Sequence, residues 1–523
     1  MIFFVILVYA EPYFQPALLQ KKTGYKTKLS TYTLTYGTSR TPYQRVCLNS
    51  KITTQTFIKG DAAQVKSFTF STARGNTYVY NDKNGFIFPA GQVRDYHACP
   101  APEKKPEALP GQVQDYLLTK GYYQLILETT QRCNLRCRYC YYGDYYKSTR
   151  NHSSDSMKFS TARKVLDDYM THYRTIRNKN PFRKANISFQ GGEPLINYGL
   201  LKETVNYCSQ IYGDCEVNYT VTTNGVLLYD DILDYLTDHN FGIIVSLDGD
   251  KPGHDRNRIR EDGSGSFDQA FQAIERLRKR HPGYHRLGIS VRLDYLSDLD
   301  ALDAFVTENK LFVTDLSMVS PGETDYYRQF SPEDKLRFYR QLSRLREQYF
   351  QAAKEGSVSL HRCSLLLPLF SSGYEMFACH PVMQEMRPSF FPYTGSCIPG
   401  EKIFASVDGT YHMCEKISSH FPIGDAEHGL DYRKIAGYIN QFNSFAGRCS
   451  DCRITRFCSL CMAQAADHTA LSLPSAYCRD KKACVKDTLT LYTECLEESP
   501  CAFDRFTREY LEERSRITGS LPY

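Results

Sequence analysis

The sequence predicts an α/β protein built on a curved parallel sheet of six strands, a partial (β/α)6 barrel of TIM-like type. Three observations predict it. Between residues 112 and 320 the apolar pattern switches repeatedly between strand and helix periods. Short β-branched or aromatic runs alternate with longer amphipathic stretches, which is how strand–helix units are written. A polar loop follows each of the first four strand candidates, and three of these loops carry glycine.

The strand candidates are Gln124 to Glu128, Ala185 to Phe189, Glu216 to Thr222, Gly242 to Leu247, Leu287 to Leu293 and Val313 to Met318. Helical stretches at 160–176, 198–212, 229–239, 266–281 and 298–308 separate them. A sheet of this kind gathers its site at the strand C-terminal ends. The barrel is assigned to residues 111–324. Before it, residues 1–110 read as a β-rich module, a cap or a peptide-recognition unit, with a hairpin at Asn76 to Tyr80 and Gly85 to Phe88 around Asn81-Asp82-Lys83-Asn84. Lys104-Lys105-Pro106 and Pro110-Gly111 mark the linker out of it. After the barrel, residues 325–395 form a helical connector. It opens at Ser331-Pro332-Glu333 and carries a stripe of Leu336, Tyr339, Leu342, Leu345 and Tyr349. A cysteine-rich region spans 396–485, and a helical tail spans 486–523.

Bulk properties narrow the function class. A net charge of +6 on 523 residues is too weak an excess to predict a nucleic-acid partner. The apolar opening, Met1 to Ala10, is too short to span a bilayer and lacks the basic leader of a secretory signal. Neither a membrane nor export is therefore expected. Of 19 cysteines, 12 lie from Cys363 onward. In a large chain expected to be cytoplasmic, that density points to metal ligation rather than disulfides.

Chemistry concentrates after the first strand, at Cys133, Cys137 and Cys140. They supply three thiolates to one point. A structural zinc normally takes a fourth protein ligand, whereas a four-iron cluster on three cysteines keeps one iron open. Local spacing leaves both readings standing. After the second strand, Gly191 and Gly192 permit close backbone approach to a ligand, and Glu193, followed by Pro194, suits an ammonium group. After the third and fourth come Thr222-Thr223-Asn224-Gly225 and Ser246-Leu247-Asp248-Gly249, whose polar groups suit a ribose diol. Arg292, near the fifth strand's end, suits a carboxylate, and an ordinary surface cation is an equal reading of it.

The spacing Cys133-xxx-Cys137-xx-Cys140, with Tyr139 before the last cysteine, resembles the signature of the radical S-adenosylmethionine (radical SAM) superfamily. Gly191-Gly192-Glu193-Pro194 resembles that superfamily's methionine-amine motif. The run from Ser246 through His254 and Asp255 to Arg258, followed by Gly263 to Phe267, is similar to members that modify proteins and peptides. The resemblance covers about residues 120 to 320. It implies a [4Fe-4S] cluster on the three cysteines and S-adenosylmethionine bound to its open iron. Tyr139, Gly191, Gly192, Glu193, Pro194, Thr223, Asn224, Ser246, Asp248 and Arg292 would line the cofactor site. Reductive cleavage would then give a 5′-deoxyadenosyl radical that takes a hydrogen from substrate.

A second resemblance covers the cysteine-rich region. Cys397, eleven residues, Gly409, four residues and Cys414, then Cys449-xx-Cys452-xxxxx-Cys458-xx-Cys461 and Cys478, resemble the SPASM extension. The last internal spacing is two residues where the pattern usually has three. The resemblance implies two auxiliary [4Fe-4S] clusters. Cys449, Cys452, Cys458 and Cys478 would hold the distal one, and Cys397, Cys414 and Cys461 the proximal one. Its fourth ligand is left open between Cys379, Cys363 and a substrate thiolate. Cys484 is a reserve ligand, and Cys495 and Cys501 are read as non-ligands. Independently of the resemblance, Ile403 to Val407 and Thr410 to Met413 read as a hairpin turned at Asp408-Gly409.

The pattern is similar to maturases of cysteine-rich peptides of the sactipeptide and ranthipeptide kinds. It implies thioether formation in a ribosomally made, cysteine-containing precursor peptide with a leader, supported by a flavodoxin- or ferredoxin-type electron donor. Two alternatives stand beside it. One is a different peptide or protein side-chain oxidation or carbon–carbon cross-link, formylglycine formation included. The other is a metal-stabilised scaffold that binds peptides without turnover. Glu415 follows Cys414 where related sulfatase-maturing enzymes carry an aspartate, which makes it an acid/base candidate; a carboxylate merely adjoining a ligand is the plain alternative.

Overall fold

The computed structural model describes residues 66–92 and 107–518, apart from residue 84 and the stretches 147–149, 177–183, 321–323, 360–362, 384–386, 468–469 and 474–475. The apolar opening, Cys47, Cys99, Asn84 and Lys104 to Pro106 lie outside the described residues, as does the side chain of Cys379.

A three-stranded antiparallel sheet opens the described chain: β1 (Ser67–Ser71), β2 (Thr77–Asn81) and β3 (Phe86–Pro89). The expected hairpin is β2–β3, and β1 adds a strand to it. After α1 (Pro110–Lys120) the strand–helix units run β4 (Gln124–Thr130), α2 (Phe159–Thr175), β5 (Ala185–Gly191), α3 (Tyr198–Ile211), β6 (Val217–Thr223), α4 (Asp230–Asp238), β7 (Gly242–Ser246), α5 (Lys251–Asp255), α6 (Phe267–Arg280), β8 (Leu287–Leu293), α7 (Leu299–Glu308) and β9 (Val313–Met318). The connector is α8 (Pro332–Lys354) and α9 (Leu366–Met383). Ser331 starts α8 through a reciprocal capping box with Asp334.

The sheet is larger than the sequence predicts. In order it runs β13-β12-β11-β10-β4-β5-β6-β7-β8-β9, ten strands in all, where β10 is Lys402–Ala405, β11 Thr410–His412, β12 Pro422–Asp425 and β13 Gly429–Leu430. β10 lies parallel to β4, with Ile403 opposite Leu125 and Phe404 opposite Ile126. An uncovered β4 would expose a row of unpaired amides and carbonyls, and the cysteine-rich segment covers it. Beyond lie α10 (Tyr432–Ala446), α11 (Met462–Ala465), the short ladder β14 (Ala466–Asp467) and β15 (Ala470–Leu471), α12 (Tyr477–Glu498) and α13 (Asp504–Thr518).

Alternation along the strands sorts residues between two faces. Leu125, Leu127, Ile187, Phe189, Val221, Ile243, Val245, Ile289, Val291, Ile403 and Ala405 join one buried apolar core with the helices. The opposite, concave face is polar, unlike the packed apolar interior of a complete barrel. There Gln124 donates to Ser188 (2.7 Å), and Ser188 meets Thr220 (2.6 Å). Asn218 donates to Asn186 (2.8 Å), and Arg292 pairs with Asp315 (2.6 Å). Such a face is built for a polar occupant. Among the described residues, no helix is long and apolar enough to cross a membrane.

Candidate functional site

The loop carrying Cys133, Cys137 and Cys140 leaves β4 and is clamped from both sides by backbone hydrogen bonds. On one side Gly192 N donates to Thr130 O (2.8 Å) and Glu193 N to Arg132 O (2.8 Å). On the other, Arg136 N donates to Ile259 O (2.6 Å) and Arg138 N to Asn257 O (2.9 Å). The two glycines make the first clamp possible. A Cβ at Gly191, whose φ is +143°, would lie 2.3 Å from Thr130 O, and one at Gly192 would lie 2.3 Å from Arg132 O. Their close approach to the cysteine loop holds that loop against the end of β5.

The three thiols are electrostatic neighbours in this clamp. Burial pushes Cys137 up to about 12 and raises Cys133 and Cys140 as well. Leu135 N and Tyr142 N each donate to a thiol, of Cys133 and Cys140 respectively, at 3.4 Å. Among the described residues no three His, Cys, Asp or Glu side chains are grouped to hold a single metal ion. Three cysteines in one short loop are a donor set consistent with a single [4Fe-4S] cluster that keeps one iron open.

Glu193 is fully buried. Its Oε1 accepts from Thr223 Oγ1 (2.7 Å) and Leu195 N (3.1 Å), and its Oε2 accepts from Asn224 N (2.8 Å). No ion pair reaches it among the described residues, and burial pushes its carboxyl up to about 7. A desolvated carboxylate lacking a cationic partner matches an ammonium ligand. Pro194 begins the turn after it. Asn224 Nδ2 donates to Asn134 (2.7 Å) and lies 4.0 Å from Cys133 Sγ, which ties the β6 end to the cysteine loop. Ser246 is half-buried at the end of β7, and no hydrogen bond engages its hydroxyl among the described residues.

Two expected cofactor contacts are used internally. Asp248 accepts from the Tyr139 hydroxyl, from Arg258 Nε (2.9 Å) and Nη2 (3.3 Å), and from Arg292 N (2.9 Å). Its carboxylate locks the cysteine loop to the strand ends, and the opposed Arg258 charge holds it low despite burial. The Arg292 guanidinium is held by Asp315 rather than left for a ligand carboxylate. In the sequence Arg258 is only the close of the His254-Asp255 run, with no partner assigned; its pairing with Asp248, ten residues earlier, emerges with the fold. The rest of that run folds the loop. His254 meets Ser266 (3.0 Å), and Asp255 accepts from Ser266 N (2.8 Å) and Phe267 N (2.9 Å).

Among the C-terminal cysteines, some lie within electrostatic reach of one another. Cys414 neighbours Cys461, and Cys461 neighbours Cys397, whose Sγ accepts from the Tyr123 hydroxyl at 2.8 Å. Cys449 neighbours Cys452, Cys458 and Cys478. Burial pushes Cys414 and Cys449 up to about 12. Cys363 is set apart, its carbonyl against Thr307 near the end of α7. Cys495 is buried, Cys501 is exposed and Cys484 is half-buried. Glu415 pairs with Lys402 at 2.9 Å, and the cations Lys402 and Lys416, opposing burial, hold its carboxyl down to about 2. In this pairing it is a weak proton acceptor.

The fold and site define a class: a cofactor-dependent α/β enzyme whose open sheet carries a three-thiol loop and an unpaired buried carboxylate at its strand ends. Residues 127–292 match the radical SAM superfamily, so that stretch is a radical SAM catalytic domain, and the cysteine-rich C-terminal region is consistent with a SPASM module. It is similar to a cysteine-type anaerobic sulfatase-maturating enzyme of Clostridium novyi, 29% identical over 177 residues, which are 32% of this chain and 44% of that one. It is also similar to the radical SAM cyclopropyl synthase TigE of Paramaledivibacter caminithermalis, 23% identical over 213 residues, 40% of this chain and 43% of that one. The chain thus spans less than half the length of these curated relatives. The solved structure of native anSMEcpe with bound AdoMet shares the fold at a TM-score of 0.51 and 18% identity, covering 74% of this chain and 98% of that one.

Proposed function

We propose that this chain is a maturase that oxidises a side chain of a peptide or protein held against the polar concave face of its sheet. The observation that carries the reading is the buried Glu193, without an ion pair among the described residues, set beside the three-thiol loop. When bound, the cluster and S-adenosylmethionine supply a hydrogen-abstracting 5′-deoxyadenosyl radical. The chain's own part is placement. Cys133, Cys137 and Cys140 hold the cluster, and Glu193, fixed by Thr223 and Asn224, takes the methionine ammonium. Ser246 is free to meet the ribose. Asp248, Tyr139 and Arg258 keep the loop in register. The sets Cys397/Cys414/Cys461 and Cys449/Cys452/Cys458/Cys478 would hold two auxiliary clusters that pass on the electron left by substrate oxidation, and a small flavodoxin- or ferredoxin-type protein would supply the initiating electron.

Sulfatase-maturating relatives favour formylglycine-type oxidation as the first form of this reading. Thioether formation is the second, and the exposed Cys397 in a set of three favours it, since a substrate thiol has access there. The test is to incubate the reduced, anaerobically reconstituted chain with S-adenosylmethionine and cysteine-containing peptides. Sulfur lost with an aldehyde gained marks formylglycine; two hydrogens lost with sulfur retained marks a thioether. Cofactor cleavage that persists in Cys137→Ala would overturn both.

A further inference from the structure

Arg150 follows the cysteine loop and lies on the concave face, its guanidinium carbon 4.2 Å above the ring of Phe404. That face is fixed by register: Phe404 sits opposite Ile126, outside the helix-side core that takes its neighbours Ile403 and Ala405. Arg150 is 7% exposed, and its Nε and Nη2 are buried with no hydrogen-bond partner. These two atoms form one edge of the guanidinium. The same edge of Arg258 grips the Asp248 carboxylate in this protein, at 2.9 and 3.3 Å. The complement of such an edge is a carboxylate.

No carboxylate of the described chain fills that place. Glu128 is engaged by Tyr142, Gln131 and Val407. Asp315 belongs to Arg292 and Glu415 to Lys402. Lys416, whose charge reaches both Asp315 and Glu415, is a further cation here with no ion pair among the described residues. The charges around Tyr141, Phe404 and His412 are Arg150, Arg292, Lys402 and Lys416 with Glu128, Asp315, Glu415 and Asp408, and each of these carboxylates is already engaged within the chain. His412, opposite Phe404 on β11, also presents a buried, unpartnered Nδ1.

We propose that Arg150 is a substrate-recognition residue whose Nε/Nη2 edge, stacked on Phe404, binds a carboxylate of the peptide substrate. This rests on the maturase reading and names the chemistry that its substrate must carry. A buried cation without a partner costs stability, so the site should be least stable when empty.

Arg150→Met keeps the packing on Phe404 and removes the charge; Arg150→Lys keeps the charge and removes the edge. Wild-type and variant full-length chains, reconstituted anaerobically, are first titrated with glutarate, with chloride as the ionic control. Glutarate should raise the thermal midpoint of the wild type and of neither variant, and ligand-free Arg150→Met should unfold no more easily than wild type. Each chain is then used to select a randomised cysteine-containing peptide library, displayed with free or amidated C-termini. Wild type should enrich Asp or Glu at one position about tenfold over Arg150→Lys, as a site built for bidentate contact does. Enrichment that follows the free C-terminus instead identifies the terminal carboxylate as the source. The proposal is overturned if Arg150→Met responds to glutarate as wild type does, or if peptides enrich without any preference for a carboxylate. A glutarate response with no peptide enrichment would sink the peptide reading while leaving a carboxylate site.

Discussion

Asp82 reaches Thr455 across 373 residues of chain, accepting from its backbone amide at 3.1 Å and from its hydroxyl. The same carboxylate accepts from Arg456 N (3.1 Å) and Tyr80 Oη (2.8 Å), and it is 1% exposed. The turn between β2 and β3 therefore braces the loop that carries Cys449, Cys452 and Cys458.

Replacing Asp82 by Ala removes the acceptor of two buried amides, of Thr455 and Arg456, and of the Thr455 and Tyr80 hydroxyls. The expected loss is about 3 kcal/mol or more in urea unfolding. Reconstituted Asp82→Ala should also hold fewer irons than wild type, with the loss confined to the set at 449–478.

Gly191→Ala places a methyl group against Thr130 O at 2.3 Å. The clamp on the cysteine loop must then open, at a cost of about 2 kcal/mol. The reporter is the absorbance of the first cluster, which should fall in Gly191→Ala and stay intact in Gly199→Ala, where an added Cβ meets nothing within 4 Å.

Glu193 titrates higher in the folded chain, at about 7, than its ordinary value of 4.5. The folded state therefore binds more protons than the unfolded chain between those values, and stability falls as pH rises from about 4.5 to 7, by about 3 kcal/mol. Glu193→Gln should flatten that slope in the cluster-free protein. The same variant should weaken S-adenosylmethionine binding, read by calorimetry, without lowering iron content.

Glu415 works in the opposite sense. Its folded value, about 2, lies below the ordinary 4.5, so its pairing with Lys402 contributes stability that is complete above 4.5 and is lost as pH falls toward 2. Lys402→Met removes the carboxylate's ion pair, leaves it the Lys416 charge alone and should cost about 3 kcal/mol at neutral pH. Acid unfolding should then show a smaller dependence on pH below 4.5 than in wild type.

Much of the barrel was legible because its information is local. All six strand candidates fall within two residues of β4 to β9, since alternation and flanking turns mark such runs directly. The thiol loop at Cys133, Cys137 and Cys140 was legible for the same reason, through its short internal spacing. What was not legible depends on distant partners. Nothing in Lys402 to Ala405 announces that it pairs with Gln124 to Leu127, almost 280 residues earlier, because a four-residue strand has no sequence code for its neighbour. Asp248 and Arg292 read as ligand contacts on chemistry alone. Their internal use shows only once Tyr139, Arg258 and Asp315 are brought beside them.

The β4–β10 pairing would bear on electron flow between a centre held after β4 and one held at the β10–β11 hairpin. Tunnelling between two redox centres falls off steeply with their separation, so a mobile hinge between them would make the rate fluctuate. Here the loop after β4 and the thiols flanking the β10–β11 hairpin hang from one continuous hydrogen-bonded lattice. Any gap between centres held at those two places is set when the chain folds, not when a partner docks.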